Sequence, residues 1–392
     1  MKIAHIVRRF SRAEWGGTET VVAHTVAEQR KLGHEPHVFC TSALQPPEGP
    51  EAGVSVFPYS YPYWPLSAAD RQALDKKGGN PYAAALFRSV AAWRPDLIHI
   101  HAGGRLACAA VLLARRLGVP CVMSLHGGAA VVPQSELDEM LRPLRHKLPY
   151  GGLLDRLYGL RFDPLARVDA VLAISQAEVA RLRERYPGRR IEYLPNGVPA
   201  SAPAPVVREG PPRRLLCVSR IDYQKNQLAL VELLKDNPDC TLTLVGPVTA
   251  RWYAEKILAR VRELGFGDRF TLVPGLPPGS AELEAAFAQA DAFLLPSVHE
   301  PFGIVALEAM QRGLPLVAAA VGGLCDFVRD GENGLLFDPA DPPSLNRAFA
   351  RLSDARLRQD LVTGGRETVR HYLWPSVIAR LMSVCAELGE RR

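Results

Sequence analysis

Short apolar, β-branched runs of five or six residues recur along this 392-residue chain, and stretches with helical spacing stand between them. No other feature restricts the fold as much. Strands that are apolar throughout must be buried on both faces, and alternation with helices predicts parallel sheets covered on both sides. In the first half the runs are KIAHIV (2–7), PHVFC (36–40), DLIHIH (96–101), CVMSLH (121–126), AVLAIS (170–175) and IEYLP (191–195), with helical stretches at 18–32, 104–117 and 176–186. Residues 129–168 are less regular and are expected to form a surface insertion with helices of its own.

A proline-rich stretch, GVPASAPAPVVREGPPRR (197–214), then interrupts the pattern. Proline extends neither a helix nor a central strand, so an extended interdomain linker is expected there. The alternation restarts at RLLCVS (214–219) and continues through TLTLVG (241–246), RFTLVP (269–274), AFLLPS (292–297), LPLVAA (314–319) and GLLFD (334–338). Helices are expected at 226–235, 250–264, 280–289 and 302–312. The predicted organisation is an α/β domain over 1–196, a linker over 197–213, a second α/β domain over 214–374, and a helix within 375–392 crossing back to the first. Open sheets of this kind bind ligands at the carboxyl ends of their strands, so a cleft site is expected.

Composition narrows the function. No apolar run reaches the roughly 18 residues needed to cross a bilayer, and MKIAHIVRRF lacks a signal peptide's apolar core, so a cytoplasmic location is expected. The seven cysteines are scattered without zinc or disulfide spacing. Residues 1–200 hold 25 Lys+Arg against 18 Asp+Glu, whereas the remainder is close to neutral. A basic first half fits a solvated surface or peripheral contact with an anionic membrane at its inner face. No basic-aromatic stripe or binding module suggests nucleic acid.

The segment HEPFGIVALEAM (299–310) carries the strongest chemical signal. It follows a strand and enters a helix, placing Glu300 in the loop and Glu308 in the second helical turn. Between them, Phe302, Gly303 and Ile304 bring backbone N–H groups to a helix start, where the dipole favours anions. Carboxylates flanking exposed amides suit a sugar nucleotide: acids for hydroxyls, amides for phosphates.

Other candidates stand at strand ends. Arg220 and Lys225, in SRIDYQKN, place two cations where a diphosphate would sit. His126, in SLHGG, ends a strand and reads as a cleft residue or a satisfied core histidine. His99 and His101 are expected on opposite faces of their strand, with His101 nearer the cleft; that arrangement would exclude a metal site. Gly16, Gly17, Thr18 and Glu19 follow the first strand, as a simple turn or as a loop whose N–H groups face a phosphate or an acceptor hydroxyl, with Gly17 as the donor-binding candidate. Gly275 and Leu276, in PGLPPGS, fit a base-binding loop or a plain turn equally well. GGL (322–324) reads as structure. No D-x-D occurs, so no metal and no other cofactor is expected, and positive charge for a leaving diphosphate falls to Arg220, Lys225 and helix N-termini.

These motifs together resemble the retaining glycosyltransferases of family 4 (glycosyl transferases group 1), and the resemblance extends over nearly the whole chain, including PNGV (195–198). It implies the GT-B fold: two doubly wound Rossmann-like domains facing each other across a cleft. It also implies transfer from a nucleotide-diphosphate sugar to an acceptor hydroxyl on a glycan or lipid-linked glycan, in polysaccharide or glycolipid synthesis. His126 would lie beside the donor sugar, Arg220 and Lys225 would clamp the diphosphate, and Glu300 would bind sugar hydroxyls. Glu308 would take the ribose, the Gly303 and Ile304 backbone would complete the diphosphate site, and Gly275 and Leu276 would approach the base. Arg220→Ala and Lys225→Ala are each expected to cut turnover while leaving the fold intact. A sugar-nucleotide 2-epimerase and a non-catalytic sugar-nucleotide binder fit the same architecture. A nicotinamide dehydrogenase is disfavoured by the missing G-x-G-x-x-G fingerprint.

Overall fold

The computed structural model describes residues 1–10, 17–42, 53–58, 83–127, 156–200, 209–277 and 279–390. They form two compact units, one of Met1–Pro195 with Val377–Arg392 and one of Asn196–Ser376.

In the first unit seven strands, β1 (Lys2–Val7), β2 (Glu35–Ser42), β3 (Val54–Pro58), β4 (Leu97–Ile100), β5 (Cys121–Ser124), β6 (Ala170–Ala173) and β7 (Ile191–Tyr193), pair in the order β3-β2-β1-β4-β5-β6-β7. Every described pairing is parallel. Helices α1 (Gly17–Lys31), α2 (Ala84–Trp93), α3 (Gly104–Leu117) and α4 (Gln176–Arg185) make the crossovers. One sheet face, with Ala4, Ile6, Ile98 and Ile100, shares a core with Leu86 and Val90 of α2 and Leu106 and Val111 of α3. Val7 on the other face packs with Val22 and Val26 of α1.

The second unit repeats the plan with six strands, β8 (Arg214–Val218), β9 (Thr241–Val245), β10 (Phe270–Val273), β11 (Ala292–Leu295), β12 (Leu316–Ala319) and β13 (Leu335–Phe337), ordered β10-β9-β8-β11-β12-β13. Its helices are α5 (Leu228–Asp236), α6 (Arg251–Glu263), α7 (Ala281–Gln289), α8 (Ile304–Gln311), α9 (Leu324–Phe327), α10 (Pro342–Ala350) and α11 (Ala355–Arg370). The last helix, α12 (Trp374–Glu390), begins in the second unit and continues in the first. In both sheets the winding reverses between the first and fourth strands, β1/β4 and β8/β11. Loops leaving such a pair diverge and open a crevice at the strands' carboxyl ends.

Several elements differ from the sequence reading. Strand β3 and helices α2, α10 and α11 were not expected. Helix α11 contains Gly364 and Gly365, which argue against a helix in isolation. Packing supplies the reason: a Cβ on Gly364 would stand 2.3 Å from Glu332 O, and one on Gly365 3.2 Å from Met310 Cγ of α8. The helix expected from 226 begins at Leu228, because Asn226 takes φ 51° and ends a 3₁₀ turn over Tyr223–Lys225. The start of the expected linker is anchored, not free: Val198 bridges Leu373, and a Cβ on Gly197 would clash with the Trp374 ring at 2.5 Å. Residues 201–208 of that linker, and 129–155 of the expected insertion, lie outside the described residues. Among the described residues no helix is long and apolar enough to cross a membrane.

Candidate active site

At the second unit's switch point, the loop after β8 is fixed by its own side chains. Asp222 caps the 3₁₀ turn by accepting from Gln224 N at 3.0 Å. Fully buried Gln227 donates through Nε2 to Ser219 Oγ at 2.9 Å and to Arg220 O at 2.7 Å. The backbone of Arg220 is thereby held while its side chain stays exposed. Among the described residues it has no ion-pair partner.

Lys225 behaves differently. It is 9% exposed, and its Nζ donates to Glu300 Oε2 at 2.6 Å. Ser297 Oγ donates to the same oxygen at 3.1 Å, and Val298 N donates to Gln224 O at 2.9 Å, tying the β11 loop to the β8 loop. The expectation that Lys225 could be removed with the fold intact is therefore corrected. Its deletion would strand a buried carboxylate.

The Glu300 loop rests on the glycines after β12, which the sequence had marked only as structure. Gly323 N donates to Glu300 O at 3.1 Å. A Cβ on Gly322, whose φ is +51°, would lie 2.1 Å from Glu300 O, and one on Gly323 2.5 Å from Pro301 O. Gly322→Ala is accordingly expected to cost about 1–3 kcal/mol. The loss should exceed that of Gly265→Ala, at φ +67° with nothing within 4 Å. Equal losses by urea unfolding would show that the contact is slack.

Gly303, at φ 94° and ψ 47°, precedes α8, and no side chain caps that terminus. The positive φ requires glycine here; a Cβ would also stand 2.5 Å from Leu324 Cδ2 and 3.4 Å from Glu300 Cγ. Phe302 is buried against Phe327 and Tyr372, so its side chain anchors the loop and only its backbone faces the helix start. Ile304 opens the helix. Glu308, one turn on, is half-buried, and that burial raises its pKa above the ordinary carboxylate value; nearby Arg312 opposes the shift but is itself paired with Glu284 at 2.5 Å. Gly275, at φ 108°, packs on Pro247 beside the end of β9, with Leu276 half-buried next to it.

In the first unit the structure overturns the placement of His99 and His101. Residues two apart on a strand share a face, and these rings are 4.0 Å apart. Parallel register sets His5 of β1 beside His99, and Ser124 and His126 continue the same face from β5. The contacts follow: His5 Nδ1 to His101 Nε2 at 2.9 Å, His101 Nδ1 to His126 Nε2 at 3.0 Å, and His99 Nε2 to Ser124 Oγ at 2.7 Å. Helix α1 covers this face, with Gln29 Oε1 2.8 Å from His5 Nε2. Burial lowers the pKa of His5 and of His126 to about 4, and pushes those of His99 and His101 well down as well, so all four are neutral near pH 7. His5 is the residue that sequence reasoning missed; its signal was a histidine in β1 facing an H-x-H in the neighbouring strand.

His5, His99 and His101 offer nitrogens within 4.8 Å of one another, which corrects the geometric argument against a metal there. The 2.9 Å approach of His5 to His101 is nevertheless a hydrogen bond, with a proton between two nitrogens that would both have to be bare to bind one ion. Gly17 and Thr18 form the first residues of α1, and buried Glu19 lies 3.8 Å from Arg9. Gly16 lies outside the described residues.

Two doubly wound parallel units, one with cations and an uncapped helix start at its switch point, are the components of the GT-B fold. Residues 15–202 match Glycosyltransferase Family 4, and residues 202–368 match Glycosyl transferases group 1. A D-inositol 3-phosphate glycosyltransferase of Acidothermus cellulolyticus is 32% identical over 341 residues, 79% of this chain and 72% of that protein. Among solved structures, sucrose-phosphate synthase from Thermosynechococcus elongatus has a TM-score of 0.74 at 24% identity, with both chains fully covered. Anabaena Alr3699/HepE in complex with UDP and glucose has a TM-score of 0.70 at 19% identity, over 99% of this chain and 100% of that one. The chain belongs to the group 1 glycosyltransferases.

Proposed function

We propose that this glycosyltransferase transfers sugar from a nucleoside-diphosphate donor with retention and without a metal ion. The observation that carries the proposal is the set of groups at the β8/β11 switch point: exposed Arg220, the Lys225–Glu300 pair, and the glycine-led start of α8. Scission of the anomeric C–O bond places negative charge on the departing diphosphate. Arg220, the remaining N–H groups of Lys225 and the α8 amides meet that charge in fixed positions. With Oε2 taken by Lys225 and Ser297, Glu300 keeps Oε1 for a sugar hydroxyl. Glu308, half-buried and with its pKa raised by that burial, suits the ribose hydroxyls. Retention follows from same-face attack, the departing phosphate oxygen taking the acceptor's proton.

The HepE complex with UDP and glucose supports a uridine nucleotide donor. The basic first half supports an acceptor borne on a glycan or an anionic lipid, with the enzyme working at the cytoplasmic membrane face.

Arg220→Ala is expected to lower turnover about 100- to 1,000-fold, by analogy with losing one donor to a developing oxyanion. Its unfolding midpoint should not move, because the side chain is exposed. Calorimetric titration with UDP-glucose, GDP-mannose and ADP-glucose identifies the donor, and transfer should persist fully in excess EDTA. Wild-type turnover by a folded Arg220→Ala, or loss in EDTA restored by Mg²⁺ or Mn²⁺, would refute the proposal.

A further inference from the structure

The histidines of the first unit form a chain whose proton positions are fixed from one end. The Gln29 amide approaches the Met382 sulfur at 3.6 Å through Nε2 and His5 through Oε1. A thioether sulfur only accepts, so the amide NH₂ belongs on the methionine and the carbonyl oxygen on His5. His5 therefore donates from Nε2, and a neutral imidazole with that proton has a bare Nδ1. His101 must donate to it from Nε2, leaving its own Nδ1 bare, and His126 must donate to that from Nε2. The chain ends at His126 Nδ1, which is buried and has no hydrogen-bond partner among the described residues. The reverse polarity would end in a buried, unsatisfied N–H, the rarer and costlier orphan.

We infer that Gln29, His5 and His101 are positioning residues that hold His126 as its Nε2–H tautomer, leaving Nδ1 as a hydrogen-bond acceptor for an O–H donor. Two sources supply such a group, a sugar hydroxyl or a trapped water. Assignment to the sugar rests on the donor activity proposed above. Such an acceptor selects a hydroxyl over a group that only accepts, so the tautomer would act on sugar recognition and not on the leaving group.

The test is long-range ¹H–¹⁵N spectroscopy of protein labelled in histidine, at pH 8, with signals assigned by single His→Gln variants. Nδ1 of His5, His101 and His126 should all be unprotonated, and a protonated His126 Nδ1 overturns the inference. Gln29→Met, two residues removed from His126, should move the His126 nitrogens toward a mixture of tautomers. Met382→Leu, which removes only the sulfur that orients the amide, should shift them the same way by less. If a variant folds and His126 does not respond, the chain does not set its tautomer. A merely structural role for Gln29 would change the melting point alone. Saturating UDP-glucose should shift His126 Nδ1 where UDP does not. Equal responses, or none, overturn assignment to the sugar while leaving the chain standing.

Discussion

Lys225→Ala is expected to destabilise the protein by about 3–5 kcal/mol, the usual cost of leaving one member of a buried ion pair alone. The two side chains are only 11% and 10% exposed, and among the described residues the Glu300 carboxylate would keep Ser297 as its donor. Adding Glu300→Gln should recover most of the loss, because an amide needs no counter-charge. Urea unfolding of the two single variants and the double variant closes the cycle. A small effect of Lys225→Ala, or no recovery in the double variant, would show that solvent screens the pair. Stability and catalysis separate here: Arg220 should affect turnover alone, whereas Lys225 should affect both. A loss of activity in Lys225→Ala is informative only when measured on folded protein.

The second large effect is on acid stability. His5 and His126 have native pKa values lowered to about 4, against 6.5 for a free imidazole, and His99 and His101 are also shifted down by burial. A base with a depressed native pKa binds its proton more readily in the unfolded chain. The stabilising contribution is therefore complete above pH 6.5 and is lost as pH falls from there toward 4. Between pH 6.5 and 4 each histidine adds a slope of at most about 1.4 kcal/mol per pH unit, so His5 and His126 together approach about 2.7 kcal/mol per pH unit near pH 5. Urea midpoints at pH 7.5, 6.0 and 5.0 read this directly. A stability that is flat between pH 6.5 and 5 would mean that the histidines are already charged in the native state.

Much of the architecture could be read from the chain because it depends on local pattern. Apolar runs between helical stretches announced buried parallel strands, and Gly303 before IVALEAM announced a helix start that could approach an anion. The motifs around Glu300, Glu308, Arg220 and Lys225 were visible because each sits at a strand end or a helix start. The composition of α11 was misleading because its stability comes from neighbours: it needs its glycines to approach α8 and the Glu332 backbone.

What the residue string settled was the two-block α/β plan and the chemical types gathered at strand ends, since periodicity and side-chain chemistry belong to each residue in its local setting. Which strands lie side by side, and in what register, was decided only by the folded sheets. That choice joined Lys225 to Glu300 across 75 positions and aligned His5 with His99 and His101 across more than 90. It also set Gly322 and Gly323 under the Glu300 loop. Contacts of this kind depend on pairing between distant segments, and no local preference encodes them.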